Sequence, residues 1–191
     1  PYSELQYGYQ DTKSHYRYRM VACGFEEIAS GEKFILNINH LRSKRGTGDY
    51  SNSRRMANVD SLLIMLNTIQ EEQVFEDADI LLVGDYNCYT EEQPIQTIIG
   101  AGYEDMVMRY APTGYSYVYQ SEAGYLDRVF ASESMAAQVT AVQPYHLNTD
   151  YFYTRGYKRG LDKTIFRYAD HDPILISVRL VEGNIDNYNQ Q

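Results

Sequence analysis

Tryptophan is absent from this 191-residue sequence, and cysteine occurs only at Cys23 and Cys88. The two thiols fall on separate expected strands and match no metal-ligand spacing, which excludes a cysteine-built zinc module and leaves them as buried thiols. No apolar run approaches the ~18 residues of a membrane span, and no signal-peptide pattern is present. The chain opens at Pro1 rather than at methionine, so the natural start, with any targeting signal, is expected upstream. Positive charge is scarce: 17 Lys and Arg face 26 Asp and Glu, a net charge of -9. Such a molecule repels polyanions at long range, and a nucleic-acid partner would need a local basic surface. With 5 prolines and 13 glycines beside 43% hydrophobic residues, the composition is that of a globular protein and argues against wholesale disorder.

What is abundant is tyrosine, 20 residues beside 6 phenylalanines. Many of these rings must lie at the surface or in clefts, where the ring packs and the hydroxyl stays wet. Ligand stacking and a plain compositional habit both explain that. The one basic concentration, Arg42, Lys44, Arg45, Arg54 and Arg55 around Gly46, Thr47 and Gly48, reads equally as a phosphate-facing loop or a solvated turn. Residues 1–181 are read as a single domain, able to bury roughly 70% of its unfolded surface, with a frayed tail over 182–191.

Along the chain, Arg19 to Phe25 and Phe34 to Asn39 read as a hairpin turning at Ser30-Gly31-Glu32. In the second strand Phe34, Leu36 and Ile38 share one face and Ile35, Asn37 and Asn39 the other, and the strand delivers His40 at its end. Met56, Val59, Leu62, Leu63, Leu66 and Ile69 recur at helical spacing, which predicts an amphipathic helix over about 53–73. Ile80 to Val83 is a buried strand, and a short helix over about 91–99 follows, with Pro94 in its first turn. Beyond Gly102 the pattern is read as strands: Tyr115 to Tyr119, a break at Gly124, Tyr125 to Ser132, Ala136 to Tyr145 and, after a polar loop, Ile174 to Leu180.

Four of these strands carry polar side chains at their rims: His40, then Asp85 with Asn87, then Asp127, then Asp170 with His171. In layered α/β proteins a rigid strand end beside a loop is where reactive groups collect. Carboxylates bind a hard cation through oxygen, and an imidazole oriented by a carboxylate moves protons near neutrality. Together they suit metal-assisted attack of water on a phosphoester. Singly, each has an ordinary structural explanation: a satisfied histidine, a turn cap at Asp127, an Asx turn at Asp85 and Asn87.

The segments "INHLRSK", "LLVGDYNCY", "YSYVYQSEAGYLDRVFAS", "HLNTD" and "ADHDPILISVRL", in this order, resemble the endonuclease/exonuclease/phosphatase superfamily, the DNase I-like fold, and most of all its secreted bacterial nuclease branch. The resemblance runs from about Arg17 to Leu180. It implies an α/β fold of the α+β kind, a two-sheet sandwich flanked by helices, and hydrolysis of DNA or RNA phosphodiesters with Mg2+, or Mn2+ or Ca2+, outside the cell or in the periplasm. It further implies that Asp85 and Asn87 contact the scissile phosphate, attacking water and metal, and that Asp170 is a metal ligand. His171 becomes the proton-transfer residue oriented by Asp127, Asn39 and His40 phosphate contacts with His40 a possible acid, and Arg19, with Arg17 as the other option, an anion-binding arginine. The family's first half, with an asparagine and a metal-binding glutamate, has no counterpart here. Three expectations follow: a truncated piece of a longer enzyme, weak activity or none in the piece alone, and self-association or strand exchange to cover an exposed apolar face. Phospholipid or sugar-phosphate hydrolysis is the alternative chemistry, and a non-catalytic binding domain on the same scaffold the alternative class.

Overall fold

The computed structural model describes residues 20–28, 31–45, 48–71, 79–151 and 167–180. Arg17, Arg19, the Gly46-Thr47 part of the basic loop, most of the polar loop after Asn148 and the tail lie outside them. Strand β1 (Val21–Glu26) pairs antiparallel with β2 (Lys33–His40) as the expected hairpin. Helix α1 (Gly48–Glu71) begins about a turn earlier than its apolar periodicity indicates, with Asp49 at the helix start, where a negative charge suits the exposed N–H groups. Its Val59, Leu62, Leu66 and Ile69 are fully buried, each contributing about 1.5–3 kcal/mol by leaving water.

After α1 comes β3 (Ile80–Asp85), parallel to β2. Helix α2 (Gln93–Gly100) starts with Pro94 near its N-terminus. The two-residue strand β4 (Glu104–Asp105) leads into α3 (Met106–Tyr110), capped by Asp105, whose carboxylate accepts from the backbone N–H of Val107 and Met108. β5 (Tyr117–Tyr119) and β6 (Glu122–Gly124) form a tight hairpin. Gly124 therefore ends a strand of its own rather than interrupting one long strand. β7 (Asp127–Ala131) is followed by α4 (Glu133–Gln138), β8 (Val139–Pro144) and β9 (Ile174–Val178). The start of the expected strand at Ala136 is thus helical, because Ser132 ends β7 and the following Glu-Ser-Met-Ala-Ala-Gln run is free to coil.

A five-stranded sheet in the order β1-β2-β3-β7-β4 holds the centre, and β8 and β9 form a separate antiparallel pair. One core lies between α1, α2 and the sheet's inner face, which carries Ile35, Ile80, Leu82 and Phe130. The second core lies against the opposite face, through Leu81, Val129, Met135 and Val142. On that face an apolar groove of about 440 Å³ runs between the sheets, lined among others by Phe34, Leu36, Val83 and Ile176. β9 is half-exposed rather than buried, with Leu175 and Val178 open to solvent. No helix among the described residues is long and apolar enough to cross a membrane.

The close approach of β2 and β3 depends on Gly84. Its φ is +145°, and a Cβ there would lie 1.9 Å from the carbonyl oxygen of Asn39, so only glycine fits at this point. Arg128, fully buried on β7, is neutralised by Asp105 at 2.8 Å and held by Thr90 at 2.7 Å.

Candidate active site

Strand register brings the polar rims together. His40 is the cross-strand partner of Asp85, and Asp85 is the partner of Asp127. Three side chains distant in sequence thus form one row across β2, β3 and β7, on the face turned away from α1 and α2. His40 Nε2 lies 3.5 Å from Asp85 Oδ2. Tyr86, between the two polar residues of β3's end, points the other way into the core, edge-on to Phe130 at 5.2 Å.

Asn87 has φ of +51°, an uncommon backbone that asparagine tolerates better than most residues. The turn lets its backbone N–H donate to Asp85 Oδ1 at 2.8 Å while its amide donates to Asp85 Oδ2 at 2.9 Å and to the Leu41 carbonyl at 3.0 Å. The Asx turn and the site are therefore the same object: the local bonds fix the Asp85 carboxylate in orientation.

His171 enters from outside the sheet. Its Nδ1 lies 2.7 Å from Asp127 Oδ2, which also accepts from the Ser116 hydroxyl at 2.7 Å. A lone bridge pairs the backbone of His171 with Tyr117. Asn148, fully buried, donates from its amide to the His171 carbonyl at 2.6 Å and accepts from the Tyr168 backbone at 3.1 Å. Next to His171, buried Asp172 accepts from the backbone N–H of Leu147, Asn148 and Thr149, from the Thr149 hydroxyl and from His146.

His40, Asp85, Asn87, Asp127, Asp170 and His171 line an open cavity of about 1060 Å³. Burial alone would push the His171 pKa down. The Asp127 carboxylate on its ring, with the charges of Asp85 and Asp170, outweighs that and raises it above the ordinary histidine value. Asp85 is raised by burial and by the neighbouring charge of Asp127, against the opposing pull of His171, the Asn87 N–H and His40. Asp85, Asp127 and His171 offer ligand atoms all within 4.8 Å of one another, but Asp127 and His171 hold each other, which leaves the Asp85 carboxylate as the oxygen ligand suited to a hard divalent cation.

Six of the residues singled out in the sequence thus converge. Asn39 does not reach the cavity: strand alternation sends it to the helix-facing side, where it is buried against Asn37 and Tyr86. Arg19 falls outside the described residues. The basic cluster divides. Lys44 and Arg45 line the cavity, whereas Arg55 is buried beside Glu92 at 3.7 Å, and Arg42 and Arg54 lie over the Tyr50 ring. Ser116, Asn148 and Asp172 carry no individual signal in the sequence. "HLNTD" marks a polar cluster, but its role as a brace appears only once its partner at Asp172 is in place.

No protein-family model matches the chain, and no curated protein does. Solved structures do. An endonuclease/exonuclease/phosphatase family protein of Bacteroides thetaiotaomicron superposes with a TM-score of 0.62 at 16% identity, over 91% of this chain and 61% of its own. A mannosyl-6-phosphatase of the same organism gives 0.64 at 16% identity, over 93% and 66%. A 3' phosphatase from Neisseria bound to a product DNA hairpin gives 0.59 at 12% identity, over 92% and 72%. The chain therefore has the endonuclease/exonuclease/phosphatase, or DNase I-like, fold, and it spans about three fifths to two thirds of the length of the first two structures.

Proposed function

We propose that this chain carries the reacting groups of a divalent-metal-dependent phosphodiesterase acting on nucleic acid. The observation that carries the reading is the Asp127–His171 contact at 2.7 Å, set beside Asp85 and Asn87 in one cavity. With Nδ1 engaged by Asp127, the remaining nitrogen of His171, Nε2, is the atom that takes a proton from the attacking water. The carboxylate stabilises the imidazolium that results. The water oxygen bonds to phosphorus, the bond from phosphorus to the leaving alcohol breaks, and that alcohol oxygen takes a proton from His40, which regains one from water as His171 releases its own to solvent. His40 faces the phosphate, where a preorganised donor is worth about 3 kcal/mol of barrier, while the Asn87 amide, its two N–H bonds given to Asp85 and the Leu41 carbonyl, keeps the Asp85 carboxylate in place.

Asp85, with Asp170 of the same cavity lining, would hold the cation, because Asp127 and His171 already engage each other. When bound, a divalent ion supplies charge compensation at the phosphoryl oxygens. A second reading, hydrolysis of a sugar phosphate, is favoured by the net charge of -9 and by the fold shared with a mannosyl-6-phosphatase. Secretion remains part of the proposal through the resemblance alone.

The test is cleavage of plasmid DNA, a bis-phosphodiester and a sugar monophosphate, with magnesium, manganese or a chelator, by the protein expressed from its whole gene. Chelation should abolish cutting, and His171→Ala should lower it about 10²- to 10⁴-fold. Wild-type rates in both His171→Ala and Asp170→Ala would overturn the assignment, and cleavage of the sugar phosphate alone would favour the second reading.

A further inference from the structure

The chemistry above leaves one wall of the cavity without a task. Tyr117 and Tyr119 stand two residues apart on β5 and so share a face. Their rings are 6.4 Å apart and nearly parallel, at 10°. Both line the cavity, and Tyr119 is 56% exposed. The Tyr117 ring lies 4.5 Å from that of His171, so the row of rings starts at the proton-transfer group and runs away from it. The hairpin carrying them is stiff: Gln120 and Ser121 both have positive φ, the backbone of a tight two-residue turn. Elsewhere on the lining are Arg45 and Lys44, the latter paired with Glu92 and held with its Nζ 4.1 Å over the Tyr89 ring.

We propose that Tyr117 and Tyr119 form a shelf on which a nucleobase stacks beside the reacting phosphate, so that the substrate is a base-bearing phosphoester. This rests on the phosphoesterase reading and names its substrate class. Flat π faces recognise a planar heterocycle whatever its sequence. Charge points to a small ligand. One phosphate can be met by Arg45, since Lys44 is already paired with Glu92, while a long polyanion meets the repulsion of a molecule carrying -9. The shared chemistry, a base next to a phosphate, fits a free nucleotide or the end of a short oligonucleotide.

The test uses a dinucleotide containing 2-aminopurine, whose emission falls on stacking, and its abasic twin with the same sugar-phosphate backbone, both in chelator. The base-bearing probe should bind with saturable quenching, about tenfold or more tighter than the abasic one by competition. Tyr119→Leu should remove most of that preference, and Tyr119→Phe, which keeps the ring face, should retain it. No saturable quenching, equal binding of the two probes, or a preference that survives Tyr119→Leu would each overturn the shelf. 2-Aminopurine nucleoside monophosphate and an octanucleotide separate the two sources: similar affinity assigns a nucleotide, and a marked gain for the octamer assigns a strand end. Hydrolysis with magnesium distinguishes the two layers of the argument. Cleavage of the abasic twin without any base preference would sink the shelf and leave the phosphoesterase. Tyr119-dependent quenching with no cleavage of either probe would do the reverse.

Discussion

Asp127 and His171 meet at 2.7 Å, but the two sides of that contact are held by different physics. Asp85 and Asp127 sit at the ends of strands whose inner residues, Leu82, Val129 and Phe130, are wholly or almost wholly buried in the two cores. Their position is set by packing and by ladder hydrogen bonds spread over many residues. His171 belongs to no long strand. It is fixed by the single bridge to Tyr117, by Asn148 on its carbonyl and by Asp172 gathering residues 146–149 into a turn. One side of the site is thus as stable as the fold, and the other depends on a few polar atoms. Local opening draws on such weakly packed segments first, so the site should be lost before the molecule unfolds.

The largest effect should come from breaking the packed side. Gly84→Val places a β-branched side chain where even a Cβ meets the Asn39 carbonyl, and should cost about 4 kcal/mol or more. Thermal denaturation would read this as loss of the cooperative transition at room temperature or a large fall in its midpoint. Next in size, Asp172→Ala removes the acceptor for three backbone N–H groups, at about 1–3 kcal/mol. Hydrogen exchange should show residues 146–149 and 168–171 losing protection while β2, β3 and β7 keep theirs. Equal loss across the sheet would erase the distinction between the two sides. Asn148→Ala should give a weaker version of the same pattern and lower turnover more than the melting midpoint. Smaller again, Tyr86→Phe deletes the hydroxyl that accepts from the Asn39 amide at 3.1 Å and should cost about 1 kcal/mol, shared by the whole sheet. A chemical probe sharpens the comparison: burial pushes the Cys88 thiol up to about 12, so at pH 8 almost none is thiolate, and alkylation should follow global unfolding, not opening of the His171 segment.

The same division explains what could be read from sequence. Leu81 to Val83 followed by Gly84, Asp85 and Asn87 is legible because a buried run stopped by residues unsuited to a core has few structural explanations. Helix α1 is legible from its apolar period. The phase of β2 is not: alternation tells which residues share a face, but not that Asn37 and Asn39 take the helix side, because two buried amides become acceptable only once Tyr86 supplies a partner. The short α3 and α4 lie below the length at which periodicity speaks, and Asp105 declares itself a cap only when its N–H partners are in place. Asp170 and His171 stand out as reactive residue types, whereas Asn148 and Asp172 act through contacts more than 20 residues apart, which no local pattern encodes.

The central claim is that Asp127 and His171 work as one unit. A double-mutant cycle on phosphodiester hydrolysis, with Asp127→Asn, His171→Ala and the pair, measures this most directly. The account predicts that the double variant is scarcely slower than His171→Ala alone, since the carboxylate acts only through the imidazole. Losses that multiply, with Asp127→Asn exerting its full effect when the imidazole is already gone, would contradict it.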